Sequence, residues 1–422
     1  MENKYLIRKV KHNNDLEDLY KLYDRVFLPE EVGQLANKLA NNFPYMENKH
    51  WFLAEEKDSK ELAAGLSLIP SIWEMEGIPL KIAEQGLVAT DEKHRGKGIM
   101  KMLNREFDDH LEQEKYDLAV IQGIPGFYHK FGYHYAVPME NHINLDLRSI
   151  KEIGNSSFKV RQAELNDIPF LLDQDQEYRK TEYISVLRDE KIWEYLLTHS
   201  KETDCGCDCY IFESHLEKFY CKIMHRGFGK GLNISELSYS ISDMGLQFLL
   251  SFLKKQAIRL KKPFIRFNYT STSQIGKYLI SLGAEEGKTY AWQIKIPNKL
   301  RLLNKIKPIL EARMQKSEYN DYSGIFQLNF YTDIINLRFN KGRIENIHEE
   351  MIESENTFCI PNELFASLVL GHRNWEELQY IHPQVSPMIL YLSPELKPSE
   401  DLSGKLINIL FPKKESWVYL QY

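Results

Sequence analysis

Apolar positions near the start of the chain recur at helical spacing. In "NNDLEDLYKLYDRVF", Leu16, Leu19, Tyr20, Tyr23 and Phe27 fall on one face, and Asn13 or Asn14 stands where a cap is needed. A second helix is predicted over 30–41. The period then shortens: "WFLAEE", "ELAAGLSLIPSIWEM" and "IPLKIAEQGLVAT" are strand-like, the last two joined by a turn at Glu76-Gly77. The apolar run stops at "DEKHRGKGIMKML", residues 91–103, a basic loop with two glycines. A helix from about Ile99 to Glu114 and a strand "YDLAVIQGIP" follow. Helices, an antiparallel meander, a loop, a helix and another strand predict an α/β arrangement with a mixed sheet.

The pattern restarts near residue 157. "VRQAELNDIPFLLDQ" echoes "IRKVKHNNDLEDLYKLY", each a strand running into a helix through an Asn-Asp pair, so the chain carries an internal duplication. The second copy continues through "LEKFYCKIMHR" and "NISELSYSI" to a helix near 244–260, a strand "PFIRFNYTS" and a helix ending at "SLGAEE". From Asn298 the pattern changes to a β-hairpin with an Asn340-Lys-Gly342 turn, then a short helix closed by Gly371. Three units are expected: 1–150, 155–297 and 298–422.

Composition narrows the class. With 422 residues, 43% hydrophobic and 27% charged, the chain has enough apolar residues for two or three cores. A formal charge of -6 gives no global attraction to nucleic acid or an anionic membrane, so neither is an expected partner. The first residues lack the apolar core of a signal peptide, and no stretch reaches the ~18 apolar residues of a membrane span. A cytoplasmic protein is expected. Its 5 cysteines make no disulfide framework, and "CGCDC" at 205–209 has no second cluster of metal-ligand spacing, so a strand and turn, and no metal, are expected there. Residues 1–204 contain no cysteine, which excludes a cysteine thioester in the first unit.

The basic loop is the candidate binding element. Ile99 and Met100 follow Gly98 where a Walker loop needs Lys-Ser/Thr, and Lys101 replaces the third glycine of a dinucleotide fingerprint. What remains is a strand end, backbone N–H groups freed by Gly96 and Gly98, a helix N-terminus, and Lys93, Arg95 and Lys97. Those parts suit a pyrophosphate held without a metal, although on spacing alone a solvated basic loop fits equally well.

Taken with "IPGFYHKFGYHYA" beyond the next helix and strand, this loop resembles the GCN5-related N-acetyltransferases. In that family Gln/Arg-x-x-Gly-x-Gly/Ala binds the pyrophosphate of coenzyme A, and Tyr-x-x-x-Gly-Phe follows the next strand. Lys93 stands at the Gln/Arg position, Tyr133 replaces the Phe, and Tyr128 falls on the tyrosine. The whole chain resembles the enhanced-intracellular-survival branch: two tandem acetyltransferase-like mixed-sheet domains, the second degenerate, and a sterol-carrier-like α+β tail.

The resemblance implies a small primary amine as partner, acetyl-CoA as co-substrate and a homo-oligomer, by analogy a hexamer. It implies that Leu87, Val88 and Ala89 offer backbone N–H groups to the thioester and pantetheine, that the loop from Lys93 through Arg95, Gly96, Lys97 and Gly98 to Ile99 holds the pyrophosphate, and that Tyr128 is the general acid. Relatives often carry a small hydroxyl residue where Gly123 stands.

In the second copy, "HRGFGKG" imitates the loop but lies between two strands, and Leu279 replaces the tyrosine, so that unit is expected to be structural. His129 and His134 are weak candidates for a base, and Trp51, Trp73, Tyr23 and Phe27 are expected in the core. The chain ends "ESWVYLQY", an alternation predicting a buried last strand. In the branch it resembles, the terminal carboxylate, here on Tyr422, is the general base, with Glu84 acting through water, or His129, next in line. A second reading is a ligand-binding module with a vestigial acetyltransferase unit and an apolar ligand in the tail.

Overall fold

The computed structural model describes residues 4–140, 142–153, 158–226, 229–287, 290–352, 354, 356–387 and 403–422. The chain begins β1 (Tyr5–Lys9), α1 (Asn13–Val26), α2 (Val32–Asn42), β2 (Trp51–Glu56), β3 (Leu62–Met75), β4 (Ile78–Thr90), α3 (Ile99–Gln113), β5 (Leu118–Ile121) and β6 (His134–Glu140). It continues with β7 (His142–Asp146), β8 (Lys159–Gln162), α4 (Ile168–Thr181), β9 (Ile184–Val186), α5 (Glu190–Thr198), β10 (Cys207–Glu213), β11 (Lys218–Met224) and β12 (Leu232–Leu237). Then come α6 (Asp243–Arg259), β13 (Phe264–Asn268), α7 (Gln274–Ser281), β14 (Glu285–Glu286) and β15 (Tyr290–Lys295). The last stretch holds α8 (Lys299–Gln315), β16 (Gly324–Asn329), β17 (Ile334–Asn340), β18 (Arg343–His348), β19 (Asn356–Cys359), α9 (Asn362–Val369) and α10 (Trp375–Ile381), with a helix at Ser403–Leu410.

Local chemistry sets most of these elements. At Glu76-Gly77 and Lys341-Gly342 both residues have positive φ, the conformation that closes a two-residue hairpin. The cap of α1 differs from expectation. His12, not Asn13 or Asn14, is the cap residue, and the Asp15 carboxylate accepts from the backbone N–H groups of Lys11 and His12 while pairing with Arg8. Those two N–H groups belong to the residues just before the helix, so the Asp15 carboxylate, fixed by the Arg8 guanidinium, secures the entry of the chain into α1. Cys207 and Cys209 lie buried in β10, whose alternation continues through Ile211.

Three sheets form, and two of them exchange strands. The first has the order β1-β2-β3-β4-β5-β15-β6, with β9 on the far end of β3; the second is β14-β7-β13-β12-β11-β10-β8. Thus β15, late in the chain, lies between β5 and β6, pairing Gln293 with both Ile121 and Tyr135. In return β7, which precedes residue 150, pairs with β13 through Phe264↔Asp146 to Asn268↔His142. The first two sheets are therefore interlocked across residue 150, whereas the third sheet draws all its strands from beyond residue 297. Backbone groups of β5 and β6 need partners, and Trp292 on β15 buries its ring against Trp73 at 5.6 Å. No spacing in the sequence records which neighbouring sheet supplies such a strand.

Trp51, Trp73 and Tyr23 are core residues, as their patterns imply. The chain end is buried but is not the strand that was expected: residues 412–422 join no ladder. Isolated backbone bonds hold them instead, Tyr183 N–H to the Glu415 carbonyl at 2.8 Å and Trp417 N–H to the Ile184 carbonyl at 3.0 Å. Among the described residues no helix is long and apolar enough to cross a membrane.

The strand exchange makes a direct prediction. A fragment spanning 1–150 lacks β15 and leaves β7 without a sheet, so it is expected to unfold at least 2 M lower in urea than the whole chain, or to be insoluble, about the shift that losing several kcal/mol produces. Circular dichroism against urea checks this.

Candidate functional site

The site is built where β4 and β5 separate. They pair in parallel at Ile82↔Leu118, Ala83↔Ala119 and Glu84↔Val120, and there the pairing stops although β4 runs on to Thr90. On its other side β4 is irregular: Gly86 faces Ser67 and Ala89 faces Gly65, leaving Leu87 and Val88 without register partners. Leu87 has φ 49°, a conformation that costs a leucine about 1–2 kcal/mol and marks a bulge. Backbone N–H groups at Leu87 and Val88 are thereby released from the ladder at the mouth of the gap.

The loop after β4 is held from behind. Asp91 caps the turn at Glu92–His94, accepts from the Lys93 N–H at 3.0 Å and pairs with Arg25 at 2.7 Å. His94 turns inward, buried, its Nδ1 3.0 Å from the Tyr5 hydroxyl. Gly96 and Gly98 have φ of 75° and 76°, and a Cβ on either would meet nothing, so glycine is required by conformation and the backbone faces open space. Gly98 begins α3, whose first turn carries no acidic side chain.

A cleft of about 1100 Å³ joins this loop to Tyr128, lined by Val88, Arg95 to Lys101, Phe127 and Lys130 among others. Arg95, Gly96, Lys97, Gly98 and Ile99 thus share one cavity with Tyr128. Lys93 does not line it but faces a neighbouring cavity with Lys21 and Arg25, while Leu87 and Ala89 pack their side chains into the core beside α1.

Tyr128 lies on a single helical turn, Tyr128–Phe131, closed by Gly132 at φ 84°. Its ring covers Gly123 so closely that a Cβ there would overlap it. The glycine at that position is therefore a condition of the tyrosine's placement. From the exchanged strand, Gln293 donates to the Gly123 carbonyl at 2.6 Å and the Tyr290 hydroxyl bonds to the same oxygen. Burial pushes the Tyr128 phenol up to about 12, and the neighbouring Tyr290 adds to this, so it stays protonated at neutral pH.

Tyr422 reaches the same strand ends from the other side. Its hydroxyl donates to Glu84 Oε1 at 2.6 Å, and the Gln122 amide donates to both, to Glu84 Oε1 at 3.0 Å and to the Tyr422 hydroxyl at 3.2 Å. Burial raises the Glu84 carboxyl to about 7, with the bonds from Tyr422 and Gln122 opposing the rise. Glu84 is thus held directly by Tyr422. Beyond Gln122 a second cavity of about 430 Å³ opens between the sheets, lined by Glu30, His142, Asp204, Arg226, Asn268 and Leu420 among others.

Charges that the sequence reading passed over fix the terminal segment. Arg188, fully buried, pairs with Glu236 at 2.8 and 2.9 Å and donates to the Leu420 carbonyl at 3.1 Å; Lys222 meets Glu236 at 2.6 Å. Opposing cations hold the Glu236 carboxyl well below its usual range despite burial. The signal was present: Lys222 in "FYCKIM" and Glu236 in "ISELSY" each interrupt an apolar strand, and they are cross-strand partners. In the imitation loop, Arg226 pairs with Asp204 and Glu31; residues 227 and 228 lie outside the described residues. Leu279, where the second copy lacks a tyrosine, is a buried residue of α7.

Residues 7–136 match the family of the acetyltransferase (GNAT) domain. The chain therefore carries a GNAT acetyltransferase domain, and its enzymatic class is N-acetyltransferase. Along its whole length the fold is shared with solved structures. A probable N-acyltransferase from Enterococcus faecalis has TM-score 0.71 at 13% identity, covering 99% of this chain and 100% of that one. A GCN5-related N-acetyltransferase from Anabaena variabilis has TM-score 0.69 at 14% identity, covering 98% and 99%. Eis1 from Mycobacterium abscessus has TM-score 0.65 at 12% identity, covering 99% and 100%. No curated protein matches the sequence.

Breaking the buried pair should be costly. Arg188→Met leaves Glu236 with one cation and the Leu420 carbonyl without its donor, and is expected to destabilise the protein by about 3–5 kcal/mol. Denaturant melts of the variant against wild type measure it.

Proposed function

We propose that the protein moves the acetyl group of acetyl-CoA directly to a primary amine, of an aminoglycoside-like polyamine or a lysine, within a ternary complex. The observation that carries this reading is the single cleft joining the Gly96–Gly98 loop and the start of α3 to the Tyr128 phenol. Arg95, Lys97, the freed N–H groups from Gly96 to Ile99 and the helix N-terminus suit the pyrophosphate, with Lys93 contributing charge from the rim. Leu87, Val88 and Ala89 offer backbone N–H groups to the thioester oxygen and pantetheine.

The amine nitrogen attacks the thioester carbon, the carbon–sulfur bond breaks, and the departing thiolate takes the proton of Tyr128. The proton lost by the amine passes to the terminal carboxylate of Tyr422. A second reading is favoured by one observation: Glu84 bonds to the Tyr422 hydroxyl and has a carboxyl raised to about 7, so it can serve as the base, with Tyr422 positioning it. The acceptor enters from the cavity beyond Gln122. We place the enzyme in the cytoplasm, acting on small amines and not on nucleic acid or membranes. We divide it into a catalytic unit 1–150, a degenerate unit 155–297 and a sterol-carrier-like unit 298–422, assembled as a homo-oligomer.

Coenzyme A should raise the melting temperature of wild type, and Arg95→Glu with Gly98→Asp should abolish that shift; an unchanged shift would remove the loop from the binding site. Tyr128→Phe should lower kcat by about 10²-fold with coenzyme A binding near normal. Gly123→Ala should behave similarly, because the added methyl displaces the ring. For the base, two glycines appended after Tyr422 move the carboxylate while keeping every side chain. Turnover that collapses identifies the carboxylate. Turnover that survives but falls in Glu84→Gln, with the rise of kcat/KM through about pH 7 flattened, identifies Glu84.

A further inference from the structure

The second unit repeats the parting of strands. β12 and β13 pair in parallel at Leu232↔Ile265, Asn233↔Arg266 and Ile234↔Phe267 and then diverge, as β4 and β5 do after Glu84. In the first unit that gap is open; in the second, the terminal segment crosses it. The Trp417 ring lies parallel to Tyr269 at 6.2 Å, and the Tyr269 hydroxyl, 3.0 Å from that of Tyr419, accepts from the Leu237 N–H at 2.7 Å.

Beside this crossing a cavity of about 280 Å³ remains, with walls that include Tyr178, Tyr239, Tyr269 and Trp417 and with Glu182 and Glu415 at its edge. No Lys, Arg or His lines it, and neither glutamate has an ion-pair partner among the described residues. Ser416 lines it too, 2% exposed, and among the described residues neither its hydroxyl nor the Trp417 indole N–H has a hydrogen-bond partner. Two carboxylates without ion-pair partners among the described residues, set against four aromatic rings, suit a cationic ligand.

We propose that this cavity binds a small organic ammonium ion, protonated or quaternary, at a site separate from the acetyl-transfer cleft. The rings supply π faces to the charged nitrogen, Glu182 and Glu415 its countercharge, and Ser416 and the Trp417 N–H contacts for an oxygen on the same ligand. The charge at the site also responds to pH. Burial first and Glu415 second raise the Glu182 carboxyl to about 7. Among the described residues, the other titratable side chains lining the cavity are Glu415, Tyr178, Tyr239 and Tyr269. Raising the pH through 7 ionises Glu182 and strengthens binding.

Tetramethylammonium chloride tests this on the full chain, since that ion cannot be acetylated. Tryptophan fluorescence and the melting temperature are followed at pH 6 and pH 8, against sodium chloride at equal ionic strength. A saturable response that is tighter at pH 8 is expected. Glu182→Gln with Glu415→Gln should weaken it by about 10-fold or more and remove the pH dependence. A wild-type response no larger than that to sodium chloride would overturn the proposal, as would unchanged affinity in the double variant. Should the double variant melt below wild type, Glu415→Gln alone, at an exposed position, decides: weaker binding with the pH dependence retained is expected, and unchanged affinity overturns the proposal.

Discussion

Everything at the candidate site depends on the point at which β4 and β5 let go of each other. A parallel pair that continued past Glu84↔Val120 would consume the backbone groups of Leu87 to Ala89 and close the cleft. The bulge at Leu87 prevents this, at the cost of a leucine with positive φ, and turns the same segment away from the ladder. Strain of this kind persists only where neighbours enforce it. Here α1 supplies the enforcement, because Leu87 and Ala89 pack with Leu19 and Tyr23 in one buried cluster.

The gap is then furnished from distant parts of the chain. β15 brings Tyr290 and Gln293 to the carbonyl beneath the Tyr128 ring, and the last residue brings a phenol to Glu84. The second unit thus supplies β15 to the first sheet. Its own strands diverge in the same way, but its gap is crossed by the terminal segment, and its buried Arg188 and Glu236 hold Leu420 two residues short of the end. A lone Arg188 or Glu236 in such a place would be heavily penalised by desolvation; together with Lys222 they are tolerated and fix one conformation.

Burial governs the site's proton chemistry from both sides. It lifts the Tyr128 phenol to about 12, keeping a proton available, and lifts the Glu84 carboxyl to about 7, leaving a group that can gain or lose one near neutrality. Glu84 lies on β4 at the parting, and Tyr128 lies in the helical turn Tyr128–Phe131 that follows β5. A single separation of strands therefore supplies an acid-type and a base-type environment together.

Local chemistry alone determined much of this protein: the helix of Leu16 to Phe27, the meander, both hairpin turns with positive φ, and the Gly96–Gly98 loop at a helix start. Each depends on residues close in sequence, and periodicity and glycine report those directly. Tertiary structure decided the rest. That β15 enters the first sheet, that the last residues are buried without joining a ladder and that Lys93 lines a neighbouring cavity with Lys21 and Arg25 all depend on contacts between residues far apart in the chain. Spacing along a chain carries no record of such partners; only the packed core selects them.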